Sequence, residues 1–231
     1  MRKLLLAALG AMAAYSVPLN ILNPSFETAT LPFNMGRGPV NNPYTTAFPS
    51  GGSLANWSYI GDIHDDFIGA LSPTPGGPNW TSLWYGGNNI GYVESRGFGP
   101  SALVQTLSDT LQTNTTYTLS SLIGRPSISS LTFNYSIELW AGSTQLGSAS
   151  NLVLAPNSSG SDTLTVVIGS SHAEAGQAIQ VRLSANGFNT DGYFDIVSGT
   201  AVANGADAPE PAAFALLGAG LVFLAALRRK P

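Results

Sequence analysis

The chain has no cysteine among its 231 residues, which excludes disulfides, thiolate metal sites and thiol nucleophiles. It has two histidines, His64 and His172. Neither stands in a nucleophile elbow or a zinc-binding His-Glu-x-x-His pair. Charge is scarce as well, at 10% of residues, and no lysine occurs between Lys3 and Lys230. Residues 17–207 hold four arginines (Arg37, Arg96, Arg125, Arg182) against 12 carboxylates, a formal charge of 4 − 12 = −8. Nucleic-acid phosphates would be repelled by such a domain, whereas divalent cations suit it. A helical period is also missing from the interior.

What is present begins with two distinctive ends. Met1-Arg2-Lys3 precedes an apolar run from Leu4 to Ala14 that is too short to span a bilayer, the pattern of a signal peptide. Small residues at Ala14 and Ser16 set a cut after Ser16, with a cut after Ala14 as the alternative. At the other end Pro209-Glu210-Pro211 is followed by 212–227 without a charge and then by Arg228, Arg229 and Lys230. Sixteen helical residues at about 1.5 Å each reach roughly 24 Å, enough for a thin or locally thinned membrane. The basic cluster would hold the tail in the cytoplasm and turn the domain outward.

These residues resemble the PEP-CTERM sorting signal of exosortase substrates. The resemblance implies an exported chain, transiently anchored in the inner membrane and cut near Pro-Glu-Pro by an exosortase-type membrane peptidase. The expected organisation is therefore a signal peptide at 1–16, one extracellular domain at 17–207 and a sorting segment at 208–231.

Within the domain, Leu131, Phe133, Tyr135, Ile137 and Leu139 alternate with polar residues and predict one half-buried strand. Further strands are expected at 58–60, 90–94, 102–107, 115–123, 144–154, 162–168, 178–185 and 193–202, separated by Gly, Asn, Pro and Ser. This spacing predicts an all-β, two-sheet antiparallel sandwich. Residues 31–99, rich in Gly, Pro and Asn, read as long loops anchored by aromatics. Asn23-Pro24-Ser25-Phe26-Glu27, Trp57, Val104-Gln105-Thr106-Leu107, Thr115 to Leu119 and Tyr193-Phe194-Asp195 resemble the galactose-binding-like jelly roll of carbohydrate-binding modules. That resemblance implies a jelly-roll order of strands.

No pair among the 12 domain carboxylates is singled out for acid–base work, so the chain reads as non-catalytic: a cell-surface or matrix protein tied to exopolysaccharide, biofilm or surface structure. The second reading is a carbohydrate-binding module using Trp57, Trp80, Trp84 and Tyr85 as a stacking platform for an extracellular polysaccharide. An exported hydrolase is the third. A structural Ca2+ held by Glu27 and Asp195, where the first and last strands of a jelly roll lie side by side, is also expected.

Overall fold

The computed structural model describes residues 15–30, 53–61, 67–71, 87, 89–96, 99–126 and 131–204. Trp80, Trp84, Tyr85, Pro209, Glu210, Pro211, Arg228, Arg229 and Lys230 lie outside them, as do the leader to residue 14 and the apolar segment at 212–227. Fourteen strands are found among the described residues: β1 (Ser16–Pro18), β2 (Ala29–Thr30), β3 (Ser53–Leu54), β4 (Ser58–Ile60), β5 (Phe67–Leu71), β6 (Ile90–Ser95) and β7 (Ser101–Thr110). The second half supplies β8 (Thr115–Arg125), β9 (Thr132–Phe133), β10 (Ser136–Ala141), β11 (Thr144–Ala149), β12 (Ser158–Ile168), β13 (Ala178–Ala185) and β14 (Thr190–Ala203).

They form two main sheets. One runs β12-β8-β14-β6-β5, with β1 and β9 also on β14; the other runs β11-β10-β13-β7-β4, and β2 and β3 make a separate pair. Pairing is antiparallel except between β9 and β14. This is a jelly-roll sandwich. The first and last strands do lie side by side, with Ser16 opposite Val202 and Pro18 opposite Thr200.

Alternation creates the core. Leu103, Ile137, Leu139, Val181 and Leu183 of the five-stranded sheet meet Tyr117, Leu119, Ile123, Leu164, Val93 and Phe194 of the larger one, all with at most 6% of their surface exposed. Each such side chain contributes about 1.5–3 kcal/mol by leaving water.

The uninterrupted strand expected at 131–139 is in fact two. β9 joins the larger sheet and β10 the smaller, so the chain changes sheets at Asn134 and Tyr135. Phe133, Tyr135, Ile137 and Leu139 nevertheless all pack on the core, which is why their alternation is unbroken. β5 falls in the stretch read as loop, and it is a full partner of β6.

The Asn23 to Glu27 motif has a structural explanation. Asn23 adopts a positive φ of 49°, and its side-chain amide accepts from Thr28 N–H and donates to the Thr28 and Ala55 carbonyls. Phe26, fully buried, packs on Trp57 with ring centroids 5.2 Å apart. Gln105 clamps the same segment, accepting from Leu22 N–H at 2.7 Å and donating to the Leu22 carbonyl at 2.7 Å. The Asn23 to Glu27 segment and Gln105 are thus the lock between the N-terminal segment and β7.

Candidate active site

β6 and β14 lie next to each other with Tyr92 opposite Tyr193 and Glu94 opposite Asp191. A strand sends successive side chains to opposite faces. Val93 and Phe194 point into the core, so Tyr92, Glu94, Asp191 and Tyr193 share the other face. There they are still enclosed: exposure is 8%, 5%, 0% and 5% respectively. Two phenols and two carboxylates are thereby gathered in one buried patch away from the hydrophobic core.

Hydrogen bonds order the patch. The Tyr193 hydroxyl donates to Asp191 Oδ2 at 3.0 Å. The Tyr92 hydroxyl donates to Glu94 Oε2, and Arg96 forms an ion pair with Oε1 of the same carboxylate. The two tyrosine rings stack with centroids 5.0 Å apart, tilted by 37°. Burial first, and then the neighbouring Tyr193, Glu94 and Asp191, push the Tyr92 phenol well above its ordinary value. Tyr92 therefore keeps its proton and acts as a donor. β9 borders β14 with Phe133 in parallel register with Asp191, but the Phe133 ring packs on the core beside Tyr135, with the Arg125 guanidinium 5.8 Å from its centroid.

Sequence reasoning missed this cluster. Its trace is the spacing Tyr92-x-Glu94-x-Arg96 and Asp191-x-Tyr193, which puts chemistry-bearing side chains on one face of each strand. What joins the two sets is the register between strands about a hundred residues apart, and a single sequence does not display it.

Of the expected site residues, Trp57, Glu27 and Asp195 fall among the described residues. Trp57 is 5% exposed, in contact with Phe26, and its Nε1–H donates to the Asn23 carbonyl at 3.1 Å. It is an internal strut with no open ring face. Glu27 is exposed, and its Oε1 accepts from Asn89 N–H at 3.0 Å. Asp195 is fully buried and accepts from Ile196 N–H through Oδ1 at 2.8 Å. Glu27 belongs to the 23–28 loop and Asp195 to β14, two elements joined where Val197 N–H donates to the Pro24 carbonyl at 3.0 Å. Among the described residues no group of three or more His, Cys, Asp and Glu side chains gathers as a metal cluster.

Comparison with known proteins gives two family matches. Residues 17–198 match the HpiC1-like family, described as HpiC1 cyclase, and residues 207–230 match the PEP-CTERM protein-sorting motif. The chain is thus an exported, exosortase-processed protein. Its fold is similar to the crystal structure of the Stig cyclase Fisc from Fischerella sp. TAU, bound to (3Z)-3-(1-methyl-2-pyrrolidinylidene)-3H-indole. The two are 25% identical over 81% of this chain and 98% of that one, with a TM-score of 0.63. An apo cyclase from Fischerella sp. is similar at 25% identity over 80% of this chain and 96% of that one, with a TM-score of 0.62. An arabinose-bound α-L-arabinofuranosidase, MgGH51, shares the fold alone, at 16% identity and a TM-score of 0.51 over 83% of this chain and 27% of that one. Among curated proteins no sequence matches. The expectation of a non-catalytic protein is overturned by the cyclase family match and by the cyclase structures. It rested on the absence of familiar motifs, and a site assembled by strand register needs none.

Proposed function

The chain belongs to the HpiC1-like cyclase family, and on that premise we propose that it is an exported ring-closing enzyme whose chemistry is carried by Tyr92, Glu94, Asp191 and Tyr193. The observation that supports this is the buried patch of two carboxylates and two phenols on the face of the larger sheet turned away from the core. Asp191 delivers a proton to an unsaturated substrate, forming one new bond to hydrogen. The cation so produced is attacked by a π pair of the same molecule, which closes the ring. Loss of a proton from the cyclised cation to the Asp191 carboxylate restores a double bond and the acid. Atoms and charge balance without a co-reactant, and the product is an isomer of the substrate.

The neighbours serve this cycle. Glu94, fixed by Tyr92 and Arg96, is an oriented negative charge facing the developing cation, and oriented charge in a water-poor site lowers the barrier without reorganising. The stacked faces of Tyr92 and Tyr193 add cation–π attraction. An indole is the substrate class we favour, because the similar Fisc structure holds one.

The sorting motif supports a place of action at the cell surface or in an extracellular polysaccharide matrix. A structural Ca2+ held by Glu27 and Asp195 with main-chain oxygens of the 23–28 loop completes the proposal.

The test is product analysis with a panel of acyclic indoles bearing an unsaturated side chain. The wild-type protein yields a ring-closed isomer, and Asp191→Asn lowers its rate by about 100-fold or more while still binding the indole compound found in the Fisc complex. Glu94→Gln gives a smaller loss. Wild-type turnover that Asp191→Asn leaves unchanged would show that the proton comes from elsewhere.

A further inference from the structure

The five-stranded sheet carries charged side chains of its own on the face turned away from the core. Ile137, Leu139, Val181 and Leu183 point inward, so Ser136, Glu138 and Trp140 of β10 share the outer face with Gln180 and Arg182 of β13. Register sets Glu138 directly opposite Arg182, and Trp140 opposite Gln180. The acid patch of β6 and β14 belongs to the other sheet.

Opposite charges that face each other across two strands attract and ordinarily pair. Glu138 and Arg182 do not: the ion pair found among the described residues is Arg96 with Glu94. Each is held by other groups instead. Glu138, 8% exposed, accepts from the Ser136 hydroxyl through Oε1 at 2.6 Å and from Trp140 Nε1–H through Oε2 at 2.7 Å. Asn186 Nδ2 donates in turn to Ser136 Oγ at 2.9 Å. Arg182 swings along the sheet to Trp140, its Cζ 3.7 Å from the ring centroid, and donates to Gln180 Oε1 from Nη2 at 2.9 Å and from Nε at 3.3 Å. Trp140 therefore serves both charges, its ring under the cation and its N–H on the anion, and keeps them apart.

A carboxylate offers about four acceptor positions and a guanidinium five N–H groups, so both charges keep capacity beyond these bonds. Trp140, Gln180 and Arg182 are partly exposed. Short exposed side chains adjoin them in register: Ser148 opposite Glu138, and Thr106 opposite Gln180.

We propose that this face binds a neutral saccharide. A hydroxyl both accepts and donates, so adjacent hydroxyls of one sugar ring take hydrogen bonds from Arg182 and return one to Glu138. The C–H face of the ring packs on the exposed part of the Trp140–Arg182 stack. A polyanion fits poorly, because Arg182 is the only basic residue in β4, β7, β10, β11 and β13, and residues 17–207 carry a formal charge of −8. The site holds the exported domain on an extracellular saccharide while leaving the acid patch free, and it is independent of the catalytic reading.

Affinity electrophoresis of the full-length protein tests this, in gels containing soluble neutral glucan, xylan or galactan, with polygalacturonate as the anionic comparison. At least one neutral polymer is expected to retard the wild-type protein, and more strongly than polygalacturonate does. Arg182→Lys keeps the charge and loses the planar fork; Glu138→Gln keeps the shape and loses the charge. Each should weaken binding about tenfold, and Asp191→Asn should bind as wild type does. Thermal midpoints taken alongside separate lost binding from lost folding, and Gln180→Ala, which frees the guanidinium at a partly exposed position, should weaken binding as well. No retardation by any neutral polymer, equal or stronger retardation by polygalacturonate, or undiminished binding in folded Arg182→Lys and Glu138→Gln overturns the proposal. Because retardation needs no turnover, failure of this site and failure of Asp191 as the acid are read separately.

Discussion

Asp162 sits at the rim between the sheets with both carboxylate oxygens engaged. Oδ2 accepts from the Tyr135 hydroxyl at 2.7 Å and from Asn151 N–H at 2.8 Å, and Oδ1 accepts from Thr163 N–H at 2.8 Å. Burial alone would raise this carboxyl, but the bonds from Tyr135, Asn151 and Thr163 outweigh it and hold it below the usual carboxylate range. A group whose folded value is lowered stabilises the fold in full above its unfolded value and loses that contribution as pH falls through the folded one. Asp162→Asn, which sets an amide against two main-chain donors, should cost about 1–3 kcal/mol near neutral pH. The difference in unfolding free energy between wild type and Asp162→Asn should shrink toward zero below about pH 4. Denaturant titrations across that range measure it, and a difference that persists undiminished in acid would assign the effect to packing. Tyr135 was legible as an inward-facing member of an alternating run, because alternation reports the face. Its hydroxyl was not, because the partner that receives it is 27 residues away and belongs to another strand.

β14 joins the two ends of the sandwich, bordering the acid patch beside β6 at one end and pairing with β1 at the other. Its register against β8 shifts between Asp195 and Ser198, and within that bulge Ile196 takes a φ of +47° with half its surface exposed. A β-branched residue in the left-handed region is costly, by roughly 1–2 kcal/mol. Ile196→Asn should therefore raise stability by about 1 kcal/mol, seen as a higher thermal midpoint, and a midpoint that falls would mean the isoleucine side chain packs usefully where it stands. Asn and Asp are more at home in that backbone region than a β-branched residue. Strands such as β13, bounded by turn residues and strictly alternating, could be read to the residue. β5 and the first half of β12 could not, because Gly69 and Ser158-Ser159-Gly160-Ser161 look like turn chemistry, and only pairing with β6 and β8 makes them strands. The same limit hid the acid patch: Glu94 and Asp191 become neighbours solely through the β6–β14 register.

For the whole molecule, architecture and address were legible because both are written in local periodicity and composition: two-residue alternation, turn clusters, and the Pro-Glu-Pro segment with its charged end. Catalysis was not, since it depends on which distant strands are adjacent. The proposed calcium ion is a property at this scale, because it would tie the N-terminal loop at Glu27 to β14 at Asp195 and so close the sandwich along the seam where chain entry and exit also meet. An ion bound only by the folded state adds RT ln(1 + [L]/Kd), about 2.7 kcal/mol at a hundredfold excess over Kd, which for a domain of this size is a rise in midpoint of about 5–10 °C. Thermal unfolding of the processed domain in millimolar calcium and then in excess chelator should show that difference. Glu27→Gln, at an exposed position that the fold tolerates, should remove most of it, and Asp195→Ala should remove it entirely if the variant folds. An unchanged midpoint on chelation, or a calcium effect of full size in Glu27→Gln, would place the ion elsewhere or nowhere.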